Sequence, residues 1–242
     1  MIIRILFILG YFGFMNVVDA QNNSLKISGS LILTNNGIDP VPAFALGKPA
    51  LMSHLELNKK NFIYINQLNV AATDFKPWSQ TNWFLFKIPV IKKGFFRTGL
   101  AFSYFHKRDK LDFPGRTATE TQILNRYLAF ELSYHHQFSD RLSMSLTNWM
   151  ARGIEWDAVG RGNFTNIGAY ISNLSLGNIT MNLAPNLFYV TNVAPFKGWF
   201  TSANMWFYYK EFPLGITGQF VLPLHTDPPT AENWNLGLIY KY

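Results

Sequence analysis

Large apolar residues alternate with small or polar residues along almost the whole chain beyond residue 20. One segment shows the alternation without interruption: Leu128, Ala129, Phe130, Glu131 and Leu132. Successive side chains of a β-strand point to opposite faces, so this two-residue period predicts strands with one apolar face and one polar face. No window of helical length shows a comparable 3.6-residue period. The chain is therefore predicted to be all-β.

The connections between these segments alternate between long and short. We expect about twelve strands, near residues 24–34, 50–57, 62–70, 81–91, 95–106, 122–138, 142–151, 163–172, 179–190, 199–210, 214–222 and 233–242. Long connections, such as Asn35–Pro49 and Lys107–Glu120, are each followed by a tight one, such as Asn58–Asn61. This regular alternation is not expected of a soluble β-sandwich, which is the main competing architecture.

A membrane barrel explains both patterns. In lipid, every backbone polar group must be paired internally, so a spanning sheet has to close on itself. Bacterial outer-membrane barrels have an even number of antiparallel strands, short periplasmic turns and longer outer loops. We therefore predict an antiparallel up-and-down transmembrane β-barrel of about 12 strands, with both termini in the periplasm.

Composition agrees with an apolar exterior and a polar interior. Charged residues make up 14 % of the chain, and the aromatic residues are 22 Phe, 11 Tyr and 7 Trp. The mean hydropathy is nevertheless near neutral, at +0.03, because apolar and polar residues alternate. Tyr and Trp gather at the two membrane interfaces of such barrels. We expect this position for five residues near strand ends: Trp78, Trp83, Trp149, Trp199 and Trp234.

The two ends of the chain support an exported protein. Arg4, an apolar run over residues 5–15 and the closing Val18-Asp19-Ala20 predict a secretory signal peptide over 1–20. The alternative, an anchor helix, is disfavoured because the apolar run is short. The barrel domain would then be 21–242. The last strand alternates up to the final residue, Tyr242, and resembles the C-terminal strand of bacterial outer-membrane β-barrel proteins. That resemblance implies recognition by the barrel-assembly machinery. Twelve-stranded members of the class include nucleoside channels and outer-membrane phospholipases, and the size is compatible with either.

The polar face of the predicted strands would line the lumen. Lysine, arginine and glutamate occur on this face together with small residues, which leave room for a pore. The candidate pore-lining residues are Glu56, Lys87, Arg97, Glu131, Ser103 and Ser143. Charges of both signs in a lumen can select solutes, or they can pair with each other and fill the barrel. The sequence leaves both interpretations open.

Catalytic and metal-binding patterns are weak. The chain has no Cys, and its five histidines lack the spacing of a helical metal site. Ser103 and Ser133 each lie close in sequence to a histidine, His106 and His135, but no Gly-rich nucleophile turn accompanies them. We predict no cofactor, metal or catalytic residue. The net charge of +7 reflects lysines in turns and loops rather than a nucleic-acid site. Lys107, Arg108 and Lys110 could meet lipopolysaccharide phosphates.

The leading functional prediction is a porin-like passive channel for small hydrophilic solutes in the bacterial outer membrane. A second hypothesis is a closed structural or assembly barrel that contacts surface components through its loops 35–49 and 107–120. A third, less favoured, is a lipid-modifying enzyme that uses His106 or His135.

Overall fold

The protein forms twelve β-strands. The computed structural model describes residues 24–38, 45–111, 119–155, 161–193, 196–210 and 212–242. The strands are β1 (Lys26–Thr34), β2 (Ala50–Lys59), β3 (Phe62–Ala71), β4 (Pro77–Ile91), β5 (Gly94–Leu111), β6 (Thr119–Gln137), β7 (Leu142–Gly153), β8 (Arg161–Leu176), β9 (Ile179–Val193), β10 (Phe196–Tyr209), β11 (Leu214–Asp227) and β12 (Asn233–Lys241). No helix in these ranges is long and apolar enough to cross a membrane. The predicted signal peptide, residues 1–20, lies outside the described residues.

The strands close into a single barrel. Each strand pairs antiparallel with its neighbours in sequence, and β12 also pairs with β1. The closing register places Ser30 opposite Lys241 and Thr34 opposite Gly237. The closed antiparallel barrel predicted from the sequence is therefore confirmed, including its twelve strands.

Several strands are longer than predicted at the ends that carry the long connections. Seven of the fourteen residues in the predicted connection Lys107–Glu120 belong to strands, because β5 and β6 stay paired up to Leu111 and Thr119. Likewise, β9 extends to Val193 and β10 begins at Phe196, which shortens the predicted connection at 191–198. Apolar alternation marks strand residues that contact lipid, whereas the hydrogen-bonded ladder can continue beyond that level. The period therefore ends before the strand does.

The outward faces of the strands carry a belt of exposed apolar side chains. It is formed by residues of every strand but β2, among them Leu33, Leu68, Phe86, Leu100, Leu132, Leu146, Ile167, Leu187, Trp199, Ile216 and Leu238. Exposed side chains of this kind are normal where the surrounding medium is hydrocarbon. The strand faces assigned from the sequence agree with this belt.

Of the five tryptophans expected at the membrane interfaces, two face outward as that position requires. Trp199 and Trp234 are exposed on the outer face. Trp83 and Trp149 instead line the interior, and Trp78 is buried beside Gly37. The prediction was wrong for Trp83 and Trp149 because it relied on their proximity to strand ends. Their positions in the alternation indicate the inner face.

The end of the lumen nearest the long connections contains an apolar cluster. Ile38, from the connection between β1 and β2, packs there against Phe164, Phe188, Val190, Phe200 and Val221. Ile38 is only 1 % exposed, so the beginning of the first connection folds into the barrel mouth. Part of the interior is therefore packed as a core rather than left as open pore.

The two faces predict different responses to a new charge. Leu132 is an exposed residue of the apolar belt on β6, where Leu132→Arg should destabilise the barrel by about 2–4 kcal/mol. Ser143→Arg, on the lumen face of β7, is the matched control and should cost much less. Urea titration of folding into lipid vesicles measures both changes. Equal losses would mean that the faces have been assigned wrongly.

Candidate site in the barrel lumen

A cavity of about 610 Å³ lies inside the barrel. Residues from all parts of the chain line it, from Ser30 on β1 to Lys241 on β12. Amide and hydroxyl groups contribute one part of the lining, including Gln67, Asn69 and Ser103. Aromatic side chains contribute another, including Trp83, Trp149 and Trp206. The cavity therefore offers hydrogen-bonding groups and flat apolar surfaces to the same small molecule.

Two tryptophans narrow the lumen. Trp83 on β4 and Trp149 on β7 are separated by two strands, yet their ring centroids are 5.2 Å apart. They meet above Ala101 on β5 and Ala129 on β6, whose small side chains leave the necessary space. The small residues of this wall therefore accommodate aromatic rings that project from the flanking strands.

Gly99 has a separate structural reason to be small. A Cβ at this position would collide with the backbone carbonyl of Phe84 on the neighbouring strand. This close approach of two backbones, rather than the width of a pore, requires glycine here. The expectation that small residues on the polar face leave room for a pore therefore does not explain Gly99.

Glu131 is the centre of a buried polar network on the lumen face. Its side chain is 1 % exposed and accepts hydrogen bonds from three groups. Arg97 Nε lies 2.6 Å from Oε1, Ser133 Oγ lies 2.8 Å from the same oxygen, and Trp149 Nε1 lies 2.8 Å from Oε2. A buried carboxylate requires such pairing, so Arg97 and Glu131 form a structural ion pair. The same network holds the indole of Trp149 in the lumen.

Glu56 and Lys87 lie closer to the short-turn end. Glu56 Oε2 is 3.7 Å from His54 Nε2, and Asn58 donates a hydrogen bond to the other carboxylate oxygen. Lys87 Nζ lies 5.4 Å from the ring centroid of Phe95. Neither residue is part of the cavity lining. They lie on inward faces of β2 and β4, below the cavity.

The six candidate residues are thus distributed unevenly. Ser103 lines the cavity, whereas Glu56, Lys87, Arg97, Glu131 and Ser143 do not. Sequence reasoning did not select Trp83 or Trp149, although the alternation places Trp83 on the same face as Lys87. That shared face was the available signal. The contact between the two rings could not be found in this way, because it crosses two intervening strands.

The serine and histidine pairs do not form a catalytic arrangement. Ser133 Oγ lies 2.9 Å from His135 Nε2 and 2.8 Å from Glu131, which places the serine between the other two groups. A serine hydrolase needs the histidine between the serine and the acid. Ser133 is also buried. Ser103 and His106 are three residues apart on β5 and therefore face opposite sides of the sheet. Within the described ranges, no three His, Asp or Glu residues group as metal ligands would.

Solved structures with the same architecture are bacterial outer-membrane proteins. A KdgM porin in complex with disordered oligogalacturonate superposes with a TM-score of 0.53 at 9 % identity, covering 90 % of this chain and 99 % of its own. An outer-membrane channel from Pseudomonas putida F1 gives 0.51 at 9 % identity, covering 93 % and 99 %. The fold is that of bacterial outer-membrane β-barrels. An outer-membrane location agrees with this fold and with the apolar belt. No protein-family model and no curated protein matches the sequence.

The ion pair provides a test of the buried network. Arg97→Leu leaves the buried carboxylate of Glu131 without its cation and should destabilise the barrel by about 3 kcal/mol. The double variant Arg97→Leu/Glu131→Leu removes both charges and should be closer to wild type in stability. Urea unfolding from vesicles measures each variant. A double variant that is less stable than Arg97→Leu would contradict this account of the pair.

Proposed function

We propose that the protein is a passive channel for small hydrophilic solutes across the outer membrane. The observation that carries the proposal is the cavity inside the closed barrel, lined by polar groups from strands around the whole circumference. Small solutes can exchange hydrogen bonds with water for bonds to Gln67, Asn69, Thr81 and Ser103 while they pass. Two structures of similar fold are described as a porin and as an outer-membrane channel, which supports this class of function.

The proposed path is narrowed by one continuous group of large side chains. Toward the long connections, Ile38 and the apolar cluster around it occupy one side of the mouth. Trp149 stacks on Phe164 of this cluster, with ring centroids 4.7 Å apart, and forms, with Trp83, the constriction described above. Below the cavity, we assign Glu56, Lys87, Arg97, Glu131 and Ser143 to the exit toward the short turns. There the charges of Glu56, Lys87, Arg97 and Glu131 set the local electrostatic field, and the Arg97–Glu131 pair also holds the wall together.

Two further steps belong to this proposal. Residues 1–20 direct export, and β12 is the element recognised by the barrel-assembly machinery. In the folded protein β12 occupies the seam, where it pairs with β1 and β11. Because β12 cannot pair with β1 until the seam closes, one edge of β12 is available for recognition during assembly.

Removal of one tryptophan should widen the channel. Trp83→Ala deletes half of the constriction and leaves the hydrogen bonds of Glu131 intact. In planar bilayers we expect wild-type protein to give discrete conductance steps and Trp83→Ala to give larger ones. The matched control is Trp199→Ala, because Trp199 is exposed on the outer face. Absence of steps for both the wild type and Trp83→Ala would reject the channel.

The closed structural barrel is the second candidate function, and Ile38 is the observation that favours it. A connection that is packed into the barrel mouth can block passage permanently.

Ile38→Asp places a charge in this apolar cluster and should expel Ile38 from it. If the protein is a channel, conductance or open time should increase. Phe75→Asp is the control, since Phe75 is an exposed apolar residue in the connection between β3 and β4. A silent wild type together with a conducting Ile38→Asp would favour a barrel that this connection closes.

A further inference from the structure

Three arginines lie together on the outer face of the barrel at the end that carries the long connections. Arg152 on β7 is directly opposite Arg161 on β8. It is also opposite Leu128 on β6, two residues from Arg126. Leu128 is an exposed residue of the apolar belt, so the arginines share its outward face. All three arginine side chains are exposed. They form a row across β6, β7 and β8 at the upper edge of the belt, which we term the arginine row.

The charge of this row is only partly balanced. Glu155 accepts hydrogen bonds from Arg126 Nε and from the Arg126 backbone amide, at 2.5 and 3.0 Å. These bonds hold the pKa of the Glu155 carboxyl below its ordinary value, so this acid stays ionised and engaged with Arg126. Among the described residues, Arg152 and Arg161 have no carboxylate within 4.0 Å. Like charges directly opposite on neighbouring strands destabilise a sheet. An anion shared by the two guanidinium groups would remove that cost.

A polar group of residues lies directly below the arginine row, also on the outer face. Asn163 is two residues from Arg161, and Asn148 is two residues from the exposed Met150. Asn148 Nδ2 donates to Asn163 Oδ1 and to Thr165 Oγ1, both at 2.8 Å. Polar side chains are costly against hydrocarbon, so their natural neighbours are the polar groups at the base of a lipid headgroup. The outer face of β8 therefore changes downward from cationic Arg161 to Asn163 and Thr165, and then to the apolar Ile167, whereas on β7 the exposed Met150 lies between Arg152 and Asn148.

We propose that Arg152 and Arg161 bind a phosphate of the lipid A part of lipopolysaccharide. Guanidinium groups bind phosphate oxygens through paired, charge-assisted hydrogen bonds. Lipid A carries phosphates on a sugar backbone, with amide-linked and hydroxylated acyl chains below. Its polarity therefore changes with depth in the same order as this face of the barrel. The inference rests on the outer-membrane placement, with the long connections facing outward, and does not depend on conduction through the lumen.

The test compares lipid A with and without its phosphates. Purified barrel in detergent is titrated with bisphosphorylated hexa-acyl lipid A, with the dephosphorylated form, and with phosphatidylglycerol. Binding is followed by the rise in the temperature at which the folded gel band is lost. We expect bisphosphorylated lipid A to bind tighter than the other two. The variant Arg152→Gln/Arg161→Gln should weaken that binding about tenfold or more.

The control removes the same charge from the opposite end of the barrel. Lys92 and Lys93 are exposed in the tight turn between β4 and β5, so Lys92→Gln/Lys93→Gln should bind lipid A as wild type does. Without lipid A, the double arginine variant should be at least as stable as wild type, because a like-charge pair has been removed. That result separates lost binding from misfolding. Equal binding of the two lipid A forms, or wild-type binding by the arginine variant, would overturn the proposal.

Conductance measurements distinguish the lipid A proposal from the channel proposal. The arginine row lies on the face opposite the lumen, so the arginine variant should conduct as wild type does. A silent wild type would end the channel proposal while leaving lipid A binding open to measurement. Normal conductance without phosphate-dependent binding would overturn the lipid A proposal and leave the channel proposal standing.

Discussion

The pairing of β1 with β12 is the interaction on which the rest of the structure depends. A sheet in lipid cannot leave backbone N–H and C=O groups unpaired at its edges, and closure alone removes both edges. The seam extends to the last residue, since Gly29 and Tyr242 exchange two backbone hydrogen bonds of 3.1 Å. At its other end the Asn35 amide donates to the Leu236 carbonyl at 3.0 Å. The final strand is therefore structural along its whole length, and the lumen exists because this seam closes.

A closed barrel of twelve strands encloses an interior that is too narrow for a wide channel. The same interior is too wide to be filled by side chains from one wall alone. Large side chains therefore fill some parts of the interior and leave other parts open. Small residues on β5 and β6 leave space that Trp83 and Trp149 enter from the two flanking strands. Near the mouth, Ile38 joins phenylalanines from β8, β9 and β10. Trp149 stacks on Phe164, so the two packed groups are continuous. The cavity is the space that they leave, and its shape is determined by large side chains rather than by the backbone.

The sequence could predict what is local and periodic, and it missed what crosses the lumen. Strand number, antiparallel order and the face of each residue follow from a two-residue period and from turn lengths. Two of the partners of Glu131 do not, because Arg97 on β5 and Trp149 on β7 come from neighbouring strands whose register relative to β6 depends on the barrel's stagger. The burial of Ile38 could not be predicted for a different reason. Ile38 lies in a connection, where no periodic pattern indicates the direction of a side chain. The upper parts of β5 and β6 were missed because both of their faces lie above the apolar belt.

The alternation that made the fold predictable also separates two functions on the same strands. On β7, Trp149 and Ala151 face the cavity, while Met150 and Arg152 face the surroundings. On β8, Phe164 belongs to the lumen, while Arg161, Asn163 and Thr165 face outward. A change on one face leaves the side chains of the other in place, because the shared backbone ladder fixes both. The backbone ladder between β7 and β8 places Arg152 directly opposite Arg161 on this outward face. The proposed phosphate site therefore depends on the register of the same two strands that hold Trp149 and Phe164 in the lumen.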